Sequence, residues 1–304
     1  MKVANYHCGI SPYNKDPIKS DLLRHYITGV NVSGDVGIDN HKKDIIDSDV
    51  GVLQGWISDK QDKPHLRFRK NVIDYYTSNS KYIVTADASL FNYKSKQYLR
   101  YSFNGVFPNT GIYCDNIIDK SRWDKISAST GIKILKQRTQ GSHILLLLQR
   151  QGGWSLGNLD VTKWTEDTIK SIRKYSDREI IIRPHPNDWQ IKHYKSTLTS
   201  FIKKYKYIKL CQSSNLQTDL ENAWAIVNHN SSSVVGPIIQ GHYCFITDPE
   251  KSQCKEVSNT SFSKIENPDN FDRERWLQRI SMFHWNFEEL KDGSCWKHMR
   301  QYIT

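Results

Sequence analysis

Short apolar runs that end abruptly in polar or cationic residues recur along the chain. The clearest are Ile144-Leu145-Leu146-Leu147-Leu148, ending in Gln149-Arg150-Gln151-Gly152-Gly153, and Ile180-Ile181-Ile182, ending in Arg183-Pro184-His185-Pro186. A third is Ala223-Trp224-Ala225-Ile226-Val227, ending in Asn228-His229-Asn230-Ser231-Ser232-Ser233. Runs this short, bounded by turn residues, fit strands buried on both faces, as in a parallel sheet. Between them, residues 164–175, 190–204 and 215–222 read as helices, with a short strand at 207–211. Residues 234–240 read as helical and 243–246 as a further strand. The first half alternates in the same way. Strands are expected at 2–8, 35–38, 50–53 and 82–85. Helices are expected at 17–29, where Ile18, Leu22, Leu23 and Tyr26 form a stripe, at 42–47, and at 66–78. Residues 88–125 are less regular, with a strand end at 112–115. The polar stretch 127–141 reads as a connection. The tail 272–302 reads as helices anchored by Trp276, Ile280, Phe283 and Trp285. Such β/α alternation favours parallel sheets. The predicted fold is α/β, with two Rossmann-like domains at 1–135 and 136–265 facing across a cleft, and closing helices at 266–304.

Composition narrows this picture. Of 304 residues, 38% are hydrophobic and 12% aromatic, which argues for a packed core and against disorder. A mean hydropathy of −0.65 and the lack of any apolar run near ~18 residues predict a soluble chain without a membrane span. The first residues lack the apolar core of a signal peptide, and the six cysteines form no CxxC pair. Both suggest a cytoplasmic protein with reduced thiols. The formal net charge of +11 is compatible with an ordinary soluble surface or with a polyanionic partner.

Ligands of open parallel sheets bind beyond the carboxyl ends of the strands, so the polar tips are the candidate site. Arg183 can fork onto phosphate oxygens, and His185 stands beside it after a Pro-bounded turn. Gln149, Arg150, Gly152 and Gly153 are candidate contacts to a diphosphate or to sugar hydroxyls. Ser231, Ser232 and Ser233 read either as a helix cap or as an anion cradle. In the first domain Asp87 and Asp115 are candidate general bases, with Asp35 a third. Asn14 and Lys15 follow the first strand and could reach the cleft. GxSxG, HExxH and the Gly-Lys-Ser P-loop are absent, which leaves serine hydrolase, zincin and P-loop kinase without support. The eleven histidines show no metal-ligand spacing, so no metal is expected.

Arg183-Pro184-His185-Pro186, then Asn230-Ser231-Ser232-Ser233, then the Trp-rich tail around Trp276, Trp285 and Trp296 resemble the capsule-polysaccharide and Kdo-transferase-like glycosyltransferases. The resemblance covers roughly residues 1–15 and 98–304. Where that group often carries an acidic residue after the serines, this chain has Val234-Val235-Gly236-Pro237. Tyr101-Ser102-Phe103-Asn104-Gly105, with the 148–155 stretch, resembles a branch common in tailed phages, some of whose enzymes glycosylate hydroxymethylated pyrimidines in DNA. The resemblance implies a GT-B fold and a nucleotide-sugar donor, a UDP-sugar first, held by the second domain at Gln149, Arg150, Gly152, Gly153, Arg183, His185 and Ser231 to Ser233. It implies an acceptor in the first domain near Asn14, Lys15, Arg100 and Asn104, a base at Asp87 or Asp115, and no metal or other cofactor. The basic residues Arg67, Arg69 and Lys70, expected to be exposed, add to a reading in which double-stranded DNA, with its 5-hydroxymethylcytosine flipped out, is the acceptor. The alternatives are a capsule or surface-glycan acceptor, and a non-catalytic DNA-binding protein on the same scaffold.

Overall fold

The computed structural model describes residues 1–11, 18–57, 63–91 and 97–303. In chain order the strands are β1 (Lys2–Tyr6), β2 (Val36–Asn40), β3 (Val50–Gln54), β4 (Tyr82–Ala88), β5 (Tyr98–Phe103), β6 (His143–Leu147), β7 (Glu179–Arg183), β8 (Ile208–Leu210), β9 (Ala223–Asn228), β10 (Tyr243–Ile246) and β11 (His284–Asn286). The helices are α1 (Ile18–Val32), α2 (Pro64–Ser78), α3 (Lys120–Thr130), α4 (Val161–Ile172), α5 (Ile191–Lys204), α6 (Leu216–Leu220), α7 (Val235–Ile239), α8 (Arg273–Ser281), α9 (Phe287–Lys291) and α10 (Ser294–Arg300). None is long and apolar enough to cross a membrane. The chain divides into two compact units, Met1–Ile132 with Leu277–Thr304, and Lys133–Trp276.

The first unit holds a sheet in the order β11-β5-β4-β3-β1-β2. Strands β2, β1, β3 and β4 are parallel, whereas β5 runs antiparallel to β4 and β11 antiparallel to β5. The antiparallel edge departs from the expectation. Strand β5 carries Arg100 and Ser102 among its apolar residues and is flanked by turn residues, and β11 is three residues long. The tail is therefore not helical throughout: it supplies β11, and α9 packs closely on α1. A Cβ on Gly29 of α1 would meet the Leu290 carbonyl oxygen at 1.9 Å, so only glycine lets the two backbones approach so closely. A capping box starts α9, with the Asn286 side chain accepting from Glu289 N while Glu289 accepts from Asn286 N.

The expected helix at 42–47 is absent. The Asn40 side chain accepts from Lys42 N and donates to the Asp44 carbonyl, and the Tyr6 hydroxyl meets both Ile46 N and its carbonyl. Side chains thus take the backbone groups that a helix would pair. Conversely, α3 occupies part of the stretch expected to be a connection. Asp119 caps its start at Ser121 N, and Gly131 ends it in the left-handed region at φ 69°.

The second unit holds an all-parallel sheet in the order β10-β9-β6-β7-β8. Strand β6 is buried at every position, which is why its sequence is a continuous apolar run. Helix α4 starts at Val161 because the Asp160 carboxylate accepts from Thr162 N and Lys163 N, at 2.7 and 3.1 Å. Strand order reverses at β6, with β7 and β8 on one side and β9 and β10 on the other. A ligand crevice is expected at such a switch point.

Candidate functional site

The loops that leave β6, β7, β9 and β10 at their carboxyl ends are tied to one another by buried side chains. Gln149 Nε2 donates to Asn230 Oδ1 at 2.9 Å, and Asn230 N donates back to Gln149 Oε1 at 3.0 Å. Asn230 Nδ2 also donates to Asp248 Oδ2 and to the Ser155 carbonyl. Asp188, in the β7 loop, is 4% exposed and accepts from Gln151 N at 2.9 Å and from the Tyr194 hydroxyl. His229 meets Thr247 Oγ1 at 2.7 Å, and the Trp164 ring N–H donates to the same oxygen at 2.9 Å. Gly152 adopts φ 68°, and Gly153 N donates to the Arg150 carbonyl at 2.9 Å, closing a tight turn.

What this bracing leaves accessible is Arg150, which is exposed and has no hydrogen-bond or ion-pair partner among the described residues. Near it stands His185, whose Nδ1 accepts from Asn187 N at 3.1 Å, so that Nε2 carries the proton. Burial, then the Arg150 charge, push the His185 pKa below its usual value, so it is a neutral donor at pH 7. Ser231 caps the turn that follows, its hydroxyl accepting from Ser233 N at 3.1 Å. Ser232 and Ser233 expose their side chains. Helix α7 beyond them has five residues, too short to add much of a dipole.

Arg183 does something other than its position suggested. Its guanidinium is 9% exposed and is spent inside the unit. It pairs with the Asp219 carboxylate and donates to the Ser213 and Ser214 carbonyls, each at 3.0 Å. The Cys211 thiol donates to the same carboxylate at 2.8 Å. Burial, then Asp219, raise the Cys211 pKa, leaving an unreactive thiol. Arg183 therefore locks the β8–α6 loop to β7 rather than offering a charge to a ligand.

In the first unit Asp87 lies at the carboxyl end of β4, directly across the strand pair from Arg100, and the two form an ion pair. Asp115 pairs with Arg279 at 2.6 Å. Asp35 serves the fold, accepting from Trp296 Nε1 at 2.8 Å and pairing with Arg300 at 2.6 Å. Asn104 is at the other end of the sheet from Asp87. Its N–H donates to the Ile83 carbonyl, near the start of β4, and its side chain accepts from Ile83 N. With φ 60° it is a turn residue. Arg69, expected at the surface, is buried and donates to the Gly9 and Trp56 carbonyls. Arg67 is exposed, and Lys70 pairs with Asp74. Asn14 and Lys15 lie outside the described residues.

The fold also assembles a group that sequence spacing does not reveal. Register pairs Asn5 of β1 with Asp39 of β2, and Tyr6 with Asn40. His7 and His41 follow at the two neighbouring tips, and both meet the Asp39 carboxylate, at 2.6 and 3.0 Å. The histidines are 34 positions apart in sequence, and only strand adjacency brings them together.

No protein-family model matches the sequence, and no curated protein matches it. Among solved structures, the chain is similar to Thermosulfurimonas dismutans KpsC in two described forms. One, its β-Kdo 2,4 transferase, gives a TM-score of 0.53 at 11% identity, over 94% of this chain and 92% of that one. The other, its β-Kdo 2,7 transferase, gives 0.54 at 10% identity, over 97% and 99%. The shared feature is the fold: α/β, GT-B-like, with two Rossmann-like sheets.

Proposed function

We propose that the chain is a glycosyltransferase that moves a sugar from a nucleotide-sugar donor to a hydroxyl of a polyanionic acceptor. The observation that carries this reading is the polar edge of the second sheet. There Arg150, His185, Ser232 and Ser233 offer unspent donors on loops that Gln149, Asn230 and Asp188 hold rigid. Rigid donors at a switch point suit a diphosphate and stabilise charge on it as the sugar leaves. Arg150 takes the phosphate-binding role, because Arg183 is occupied by Asp219. The fold held in common with two structures named as Kdo transferases supports the reaction class. Asp87 is the proposed base: it sits at a strand's carboxyl end, and Arg100 fixes its position.

The +11 charge favours a polyanion as acceptor. Duplex DNA carrying 5-hydroxymethylcytosine is the acceptor we put first, with a UDP-sugar as donor, and an acidic surface polysaccharide is the second reading. A nucleotide-release assay on both acceptors, with wild type and Arg150→Ala, tests the proposal. Acceptor-dependent release that Arg150→Ala weakens supports it. DNA binding that is steeply salt-dependent, without release from any donor, would replace it with a non-catalytic DNA-binding role.

A further inference from the structure

We propose that His7, Asp39 and His41 form a binding site for a divalent transition-metal ion of the Zn²⁺ class. Two imidazole nitrogens and one carboxylate oxygen, all within 4.8 Å of one another, are the donor set of a site that keeps a coordination position open. The His7 Nε2 to Asp39 Oδ1 separation is 2.6 Å, and His41 Nε2 to Asp39 Oδ2 is 3.0 Å. A tetrahedral ion with bonds of about 2.0–2.1 Å needs its donors about 3.3 Å apart, so they must spread by less than ~1 Å. His41 stacks on His7 with ring centroids 3.9 Å apart, and must turn off that face to aim its nitrogen at the ion. Its side chain is 57% exposed and free to turn.

The surroundings are those of a built site. His7 is 8% exposed, and its Nδ1 stands 3.0 Å from Ser20 Oγ. When Ser20 accepts the Nδ1 proton, the Nε2 lone pair is free for metal, which is how outer partners orient ligating histidines. Asn5 Nδ2 donates to Asp39 Oδ1 at 2.6 Å and orients the carboxylate, and Asn5 is itself anchored to the Leu23 carbonyl at 3.0 Å. Arg24 is a nearby cation, and it pairs with Asp21 at 2.8 Å. A bound ion would act as a Lewis acid on an oxygen ligand in its open position.

The chelator-treated 304-residue protein is titrated with Co²⁺, followed by its visible absorption, and with Zn²⁺, followed by calorimetry. The expected result is one ion per chain with the bands of a four- or five-coordinate Co²⁺. His41→Ala and Asp39→Asn should weaken binding at least about tenfold, and Ser20→Ala by roughly tenfold through the outer partner. His41 is surface-exposed, so the metal-free His41→Ala variant should melt as wild type does. Absence of a Co²⁺ spectrum, or binding that survives both His41→Ala and Asp39→Asn, would overturn the site.

Discussion

Arg183→Ala separates the two roles a strand-end arginine can have. The guanidinium and the Asp219 carboxylate are each 9% exposed, and the same guanidinium holds the Ser213 and Ser214 carbonyls. Truncation leaves a carboxylate buried without its cation and two loop carbonyls without their donor. Breaking a buried pair from one side costs about 3–5 kcal/mol. For a domain of this size each kcal/mol lowers the melting temperature by about 2–4 °C, so a fall of roughly 6–20 °C is expected. The double variant Arg183→Met/Asp219→Leu should recover most of the loss, because the charge and its desolvation go together. Urea and thermal unfolding followed by circular dichroism read both effects, and calorimetry with a nucleotide sugar at low temperature reads donor affinity of the folded fraction. If Arg183→Ala loses less than about 1 kcal/mol yet abolishes donor binding, the ion pair is not its main role.

Arg150→Ala should do the reverse: stability within about 0.5 kcal/mol of wild type, with donor affinity down about 10- to 150-fold for a lost charged hydrogen bond. His284 is fully buried, accepting from Leu90 N at 3.0 Å and donating to the Ile280 carbonyl at 2.6 Å, and burial drops its pKa to about 3. Between pH 6.5 and 3 the unfolded chain therefore binds the extra proton, so this contribution is complete above pH 6.5 and is lost as pH falls. The loss is about 2 kcal/mol by pH 5, and the slope of stability against pH should flatten in His284→Gln. Gly29→Ala should destabilise by more than about 2 kcal/mol in urea unfolding, since its methyl would meet the Leu290 carbonyl oxygen at 1.9 Å. Arg122 lies 3.7 Å over the Trp285 ring and pairs with the buried Glu289, which Lys125 also meets at 2.7 Å, so Arg122→Ala should lower stability by about 1–3 kcal/mol by the same measurement.

The second sheet was legible because its strands are buried on both faces and so appear as unbroken apolar runs. The first sheet's edge was not: β5 alternates with polar residues, and β11 is too short for a pattern. Positions at strand ends were legible, but the roles of the side chains there were not. Arg183 is satisfied by Asp219, 36 residues on, through the adjacency of β7 and β8. Asn104 looked like a cleft residue beside Arg100, yet an antiparallel strand carries it to the opposite end of the sheet. The His7–Asp39–His41 group depends on the register of two parallel strands, which histidine spacing along the chain cannot express.

Sugar transfer would show itself in the mass of the acceptor. Hydroxymethylcytosine-containing duplex DNA and an acidic polysaccharide are each incubated with the protein and a panel of nucleotide sugars, then analysed by mass spectrometry. A hexose- or pentose-sized gain on one acceptor, reduced in Arg150→Ala, is expected. An unchanged mass on both acceptors with every donor, from protein that remains folded, would contradict it.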